Sequence, residues 1–237
     1  MRPFSAVPST LFALTLLATL PCTPICATAA PPIPKMTVNV ELPKDPALAS
    51  YLKGQQKLAE EWYPKIIKIL GAEGQELPTS FTMHMDDEMK VPAAAGGDVI
   101  GYGTEYISKH LDDTGVIVHE LTHVVQSYPR QKQPGVNAGW LVEGIADYVR
   151  WFNFEPKAAR PHPKADKAHA RDSYRVTGAF LDWAKRKYNP DLIKKLNASL
   201  HAGDYTDGIW KTLTGHDLDS LDTEWRATLP LGAPKPE

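Results

Sequence analysis

The run His119-Glu120-Leu121-Thr122-His123 constrains this chain more than any other feature. Two histidines four residues apart stand one turn apart on the same face of an α-helix, so both imidazoles can reach a single metal ion. Glu120, beside the first histidine, can direct its carboxylate at a metal-activated water without being a ligand itself. The fold must therefore present a helix here; Asp112-Asp113-Thr114 offer N-cap residues for it, and its apolar positions continue through Val124 and Val125 to Gln126.

Catalytic zinc takes three protein ligands, commonly two histidines and a glutamate, and keeps one position open. Glu143 lies 20 residues after His123, within Trp140-Leu141-Val142-Glu143-Gly144-Ile145-Ala146-Asp147-Tyr148-Val149-Arg150, with Glu143 and Asp147 four apart on one face of a second helix. Glu143 is the expected third ligand of one zinc ion. Asp147 is expected to accept the outward N–H of His119 and so hold that ring's tautomer and orientation. The rival is a buried helix pair whose histidines and carboxylates only bond one another, which would leave buried charges unpaired.

Before Lys35 the only charge is Arg2, followed by the apolar run Leu11 to Leu20, Pro21, and the small residues Ala27-Thr28-Ala29-Ala30. This pattern predicts a cleavable signal peptide over 1–29 and a protein that is secreted or periplasmic. Cys22 and Cys26, the chain's 2 cysteines, fall within it. The remainder would be free of thiols and would rely on its core for stability. No later run of 18 apolar residues occurs, so no transmembrane anchor is expected. The 26 basic and 28 acidic residues nearly balance, and no basic run of five exists, so nucleic acid is not an expected partner.

Along the rest of the chain a Pro-rich leader (30–35) precedes an alternating strand from Met36 to Leu42. Asp45-Pro46 signals a helix start, with helical apolar spacing up to Gly71. Alternation returns from Thr79 to Met85, glycines at 96, 97, 101 and 103 flank Val99-Ile100, and further strands are expected through Tyr106-Ile107-Ser108. From Asp112 onward the pattern reads as helical, and a helix is expected from Tyr174 to Tyr188. Strands first and helices afterwards imply an α+β domain. A single domain is expected over 36–229, with a Pro-containing tail at 230–237. The acidic cluster Asp86-Asp87-Glu88 reads as a solvated turn rather than a calcium loop. Asn197-Ala198-Ser199 is a glycosylation acceptor triplet.

The histidine-glutamate helix followed by Glu143 and Asp147 resembles the gluzincin, thermolysin-like metallopeptidases. The longer runs His119 to Gln126, Leu141 to Arg150 and Ser173 to Leu181 are similar to the basic secretory protein family of plants and bacteria, as are Lys195-Leu196-Asn197, Leu213-Thr214-Gly215 and Glu224-Trp225-Arg226. The resemblance implies a zincin-like fold, with a small N-terminal mixed sheet, an active-site helix and a mainly helical C-terminal half. It also implies an exported zinc peptidase acting on peptide or protein substrates, here expected as a monomer. Tyr174 falls in the similar segment, and its neutral phenol is the first candidate for donating to the reaction's oxyanion. His169 is the second. Gly101 to Tyr106 is a candidate edge strand for an extended substrate. Two rivals remain: a zinc-containing module that only binds a peptide or surface ligand, and a zinc hydrolase of a non-peptide bond.

Overall fold

Alternation builds the sheet. A computed structural model of the chain describes residues 32–231; the expected signal segment 1–29, with both cysteines, and most of the tail 230–237 lie outside the described residues. Strand β1 (Thr37–Val40) runs parallel to β2 (Ser80–Asp86), with Val38 opposite Phe81. A parallel pair needs a long crossover, which is helix α1 (Pro46–Leu70). Its start and stop follow the sequence signals. The Asp45 side chain accepts from the amides of Ala47 (2.8 Å) and Leu48 (3.0 Å), and Gly71 closes the last turn at φ 64°. Leu52, Ala59, Tyr63, Ile66, Ile67 and Leu70 on one side of α1 are inaccessible to solvent.

After β2 the chain forms an antiparallel hairpin, β3 (Ala93–Gly96) and β4 (Val99–Gly103), turned at Gly97 with φ 60°. The sheet order is β1-β2-β4-β3, with β4 parallel to β2. This differs from the sequence reading in two places. Strand β4 is interior, so Gly101 to Gly103 offer no free edge, and the edge beside them is β3. Residues Tyr106 to Ser108 form not a strand but part of helix α2 (Thr104–Lys109), which buries Ile107 and carries an exposed Glu105–Lys109 pair one turn apart.

Helix α3 (Val116–Gln126) packs against α1 and β3 and is buried on nearly all sides, as its nearly continuous apolar sequence requires. Its N-cap is Gly115, with no side-chain cap, rather than an aspartate. The reason is competition. The Asp113 carboxylate is taken by Arg150 and by the Tyr106 hydroxyl (2.9 Å), and such charge-assisted long-range bonds outweigh a local cap.

Helix α4 (Gly139–Val149) passes directly into a π-helical turn at Arg150–Phe154. The uniformly helical expectation then fails, since residues 155 to 173 are mostly irregular apart from one short 3₁₀ turn. Pro156, Pro161 and Pro163 lack the N–H that a helix would use there. Helices α5 (Tyr174–Lys187), α6 (Leu192–His201), α7 (Gly208–Thr214) and α8 (Leu218–Ala227) complete the fold. Their apolar faces meet around Phe180, whose ring lies 5.4 Å from Trp210 and 5.5 Å from Trp225. A small mixed sheet followed by helices gives the α+β architecture expected from the order of patterns.

Two glycines set the closest helix contact. A Cβ on Gly144 of α4 would fall 2.1 Å from Thr177 Cγ2 of α5, and one on Gly178 would meet the Tyr148 backbone nitrogen at 3.1 Å. Glycine at both positions lets α5 lie against α4 and brings the start of α5 over the residues carried by α4. Asn197 is 1% exposed; it donates to the Leu70 carbonyl (3.1 Å) and accepts from the Tyr128 hydroxyl (2.7 Å). The acceptor triplet is therefore spent on packing in the folded chain. The Asp86 carboxylate caps its own turn through the amides of Glu88 and Met89.

Candidate metal centre

The centre is assembled where α3 crosses α4. His119 and His123 stand one turn apart on α3, and each turns Nε2 inward, the two nitrogens being 3.1 Å apart. Glu143 of α4 brings Oε2 to 3.3 Å from His119 Nε2 and 3.4 Å from His123 Nε2. A tetrahedral ion with bonds of about 2.0–2.1 Å requires ligand atoms about 3.3 Å apart, so this triangle has the right size to hold one. Among the described residues, these three form the one His/Cys/Asp/Glu group close enough to hold an ion. Two imidazoles and one carboxylate suit zinc and its transition-metal neighbours better than calcium or magnesium, which favour all-oxygen sites.

Each histidine is held from behind. His119 Nδ1 lies 2.7 Å from Asp147 Oδ1, and a carboxylate can only accept, so Nδ1 carries the hydrogen. His123 Nδ1 lies 2.7 Å from Gln126 Oε1, and the same amide donates through Nε2 to the Val142 carbonyl at 3.0 Å. Both rings in their neutral form thus keep the Nε2 lone pair free for a metal. Gln126 escaped the sequence reading, although its position three residues after His123 on the same helix face was a usable signal. It also ties α3 to α4, so the alignment of the second ring and the crossing of the helices depend on one side chain.

Electrostatics reinforce this arrangement. Burial alone would lower the His119 imidazolium, but its hydrogen bonds to Asp147 and Glu143 outweigh burial and hold it up at about 9. Burial raises the Glu143 carboxyl, yet bonding to the two imidazoles prevails and brings it down to about 2. In the metal-free protein His119 is therefore protonated below about pH 9, and a metal must displace that proton to reach Nε2. Apparent metal affinity should accordingly rise about tenfold per pH unit as the pH approaches about 9, then level off. Calorimetric titration in buffers of different ionisation enthalpy should count close to one released proton at pH 7.5; no proton release would contradict this electrostatic picture.

Glu120 points into the same space. It is 7% exposed, and its carboxyl is raised chiefly by burial, against which the neighbouring His119 and His123 imidazoles and then the Ala95 backbone amide of edge strand β3 act. It shares with the triad a cavity of about 630 Å³, whose lining includes Ala94, Ala95, Trp151, Tyr174 and Arg175. Residues 56–225 match BSP, a family described as peptidase of plants and bacteria. The chain belongs to the BSP family. No curated protein and no solved structure gives a match.

In this BSP-family chain Tyr174 does reach the centre. Its ring stacks 6.2 Å from that of His119, with 15° between the planes, and is about half exposed to the cavity. The negative charge of Glu143, then burial, raises its phenol, which stays protonated and able to donate at neutral pH. Ser173 (φ 66°) and Tyr174 (φ 45°) both adopt left-handed backbone, a conformation that costs a non-glycine residue about 1–3 kcal/mol. The contact of α5 with α4 through Gly144 and Gly178 holds that strained corner in place. His169 does not belong to the cavity: its side chain is largely exposed and bonds Asp222 Oδ2 at 3.0 Å. Arg150, Trp151 and Arg175 of the lining had no signal in the motif, because the π-turn after α4 and the corner before α5 bring them there.

Proposed function

We propose that this chain is an exported zinc-dependent metallopeptidase of gluzincin type, with zinc held by His119, His123 and Glu143. The single observation that carries this reading is the 3.1–3.4 Å triangle of donor atoms, with the carboxylate of Glu120 beside it in one cavity. Bound there, zinc supplies Lewis acidity for a scissile carbonyl and for an attacking water.

The chain's own residues do the rest. Glu120 accepts the proton of the attacking water at its carboxylate and delivers it to the leaving amine; a carboxyl raised by burial lies nearer neutral pH, where such transfers run best. Tyr174 donates its phenolic O–H to the oxygen that gains negative charge at the carbonyl carbon. Asp147 and Gln126 keep the two imidazoles aimed, which removes reorganisation from the reaction. The signal peptide 1–29 directs the chain out of the cytoplasm, and no helix among the described residues is long and apolar enough to cross a membrane.

The test is metal analysis of the purified protein together with casein digestion. One zinc per chain is expected, with digestion abolished by a chelator and restored by zinc. Stoichiometric zinc without hydrolysis of any protein or peptide would refute the peptidase reading.

A further inference from the structure

A second cavity, of about 600 Å³ and lined by Gln126, Tyr128 and Gln131, shares Ala95, His123 and Glu143 with the first. The cleft therefore continues on both sides of the donor triangle, and its two arms differ in chemistry. Away from the triangle, one adds the neutral polar side chains of Gln126, Ser127, Tyr128 and Gln131; the other carries two guanidinium groups against one indole.

In the arm that belongs to the first cavity, Arg150 lies 4.5 Å from the centre of the Trp151 ring and Arg175 lies 4.1 Å from it. The two arginines are not equivalent. Arg150 is spent on Asp113 and Glu155. Asp172, the nearest acidic neighbour of Arg175 in sequence, accepts from the His169 amide at 2.7 Å. Glu120, Glu143 and Asp147 are engaged at the centre. Among the described residues no carboxylate pairs with Arg175, and it is exposed on the cavity wall. A guanidinium held over an aromatic face keeps its in-plane N–H edges free, and those edges match a carboxylate in two-point geometry.

We propose that Arg175, supported by Trp151, forms a specificity subsite for an acidic side chain of an extended peptide, so that cleavage occurs within chains at a set distance from Asp or Glu. The inference rests on the peptidase reading for its reaction, but its recognition step stands on binding alone. A charge-assisted hydrogen bond of this kind corresponds to a preference of roughly 10–100-fold over an uncharged residue at that position.

The test uses the full-length exported protein loaded with zinc and a diverse peptide library, with cleavage sites read by mass spectrometry. The wild type should show Asp or Glu enriched at one position near the cut. Arg175→Gln should abolish that enrichment and Arg175→Glu should replace it with Lys or Arg, while neutral peptides are still cut. No acidic enrichment in the wild type, or the same enrichment in Arg175→Glu, would overturn the proposal and leave the peptidase reading intact. Anisotropy with labelled hexapeptides that differ only in Glu, Gln or Lys gives a readout independent of hydrolysis. Acid-selective binding that reverses in Arg175→Glu, with no cleavage of any peptide, would support the subsite and sink the peptidase reading. Binding without charge preference would overturn the subsite.

Discussion

Glu120→Gln should lower peptide hydrolysis by about 10²–10⁴-fold, the usual contribution of a positioned acid-base group, while zinc content stays at one ion per chain. The two outcomes separate because Glu120 is not among the three donor atoms that form the triangle. The substitution is isosteric and should keep its acceptor for the Ala95 amide. It should not weaken the fold either. Burial raises the Glu120 carboxyl, so the ionised form is disfavoured in the native state, and a neutral amide removes that cost. A metal-free Glu120→Gln protein is accordingly expected to melt no lower than its parent at pH 7.5. Steady-state assay, metal analysis and a thermal melt check the three parts. Loss of zinc in Glu120→Gln would make Glu120 a ligand and overturn the division of labour proposed for the site.

The second large effect is a graded loss of metal. Asp147→Asn should weaken zinc binding by about 10–100-fold, the usual consequence of altering a group that orients a ligand histidine. The amide oxygen can still accept the Nδ1 hydrogen, but the charge that raises the basicity of His119 is gone. His119→Ala should weaken zinc binding by more than Asp147→Asn, since it removes a corner of the donor triangle. It also leaves Asp147, 5% exposed, without its imidazole partner, and a broken buried pair commonly costs about 3–5 kcal/mol. The metal-free His119→Ala protein should therefore unfold at lower denaturant than the metal-free parent. Competition with a chromophoric chelator gives the affinities, and a urea titration the stability. Equal zinc affinity in Asp147→Asn and wild type would show that the 2.7 Å bond does not hold the ring for the metal.

The parts of the site legible in the sequence are those set by helical spacing. His119 and His123, like Glu143 and Asp147, are related by one turn, and a turn of helix is the same wherever it packs. The ends of α1 were legible for a similar reason. Asp45 before Pro46, and Gly71 after Leu70, satisfy or release backbone groups through bonds within four residues. The failures occurred where a local preference met a stronger distant partner. Asp113 reads as a helix cap, yet Arg150, 37 residues away, takes its carboxylate. Asn197 opens an acceptor triplet in the sequence, yet Leu70, 127 residues away, takes its amide. Tyr106 reads as strand, yet the ladder ends at Gly103 because its neighbours reach no further: β2 ends at Asp86, opposite Gly103, and β3 starts at Ala93, opposite Tyr102.

The available chemistry lay in local spacing: two imidazoles, a carboxylate donor and a neighbouring base, each placed so that one helical turn converts it into proximity. How those turns meet and what surrounds them came from packing between helices. Glycines at 144 and 178 let α5 approach α4, which sets Tyr174 over His119 and Arg175 over Trp151. Gln126 became part of the centre because α4 offers it the Val142 carbonyl. The distinction has a physical cause, since a spacing within one helix is fixed by its backbone hydrogen bonds, whereas contact between helices depends on side-chain volume across the whole interface.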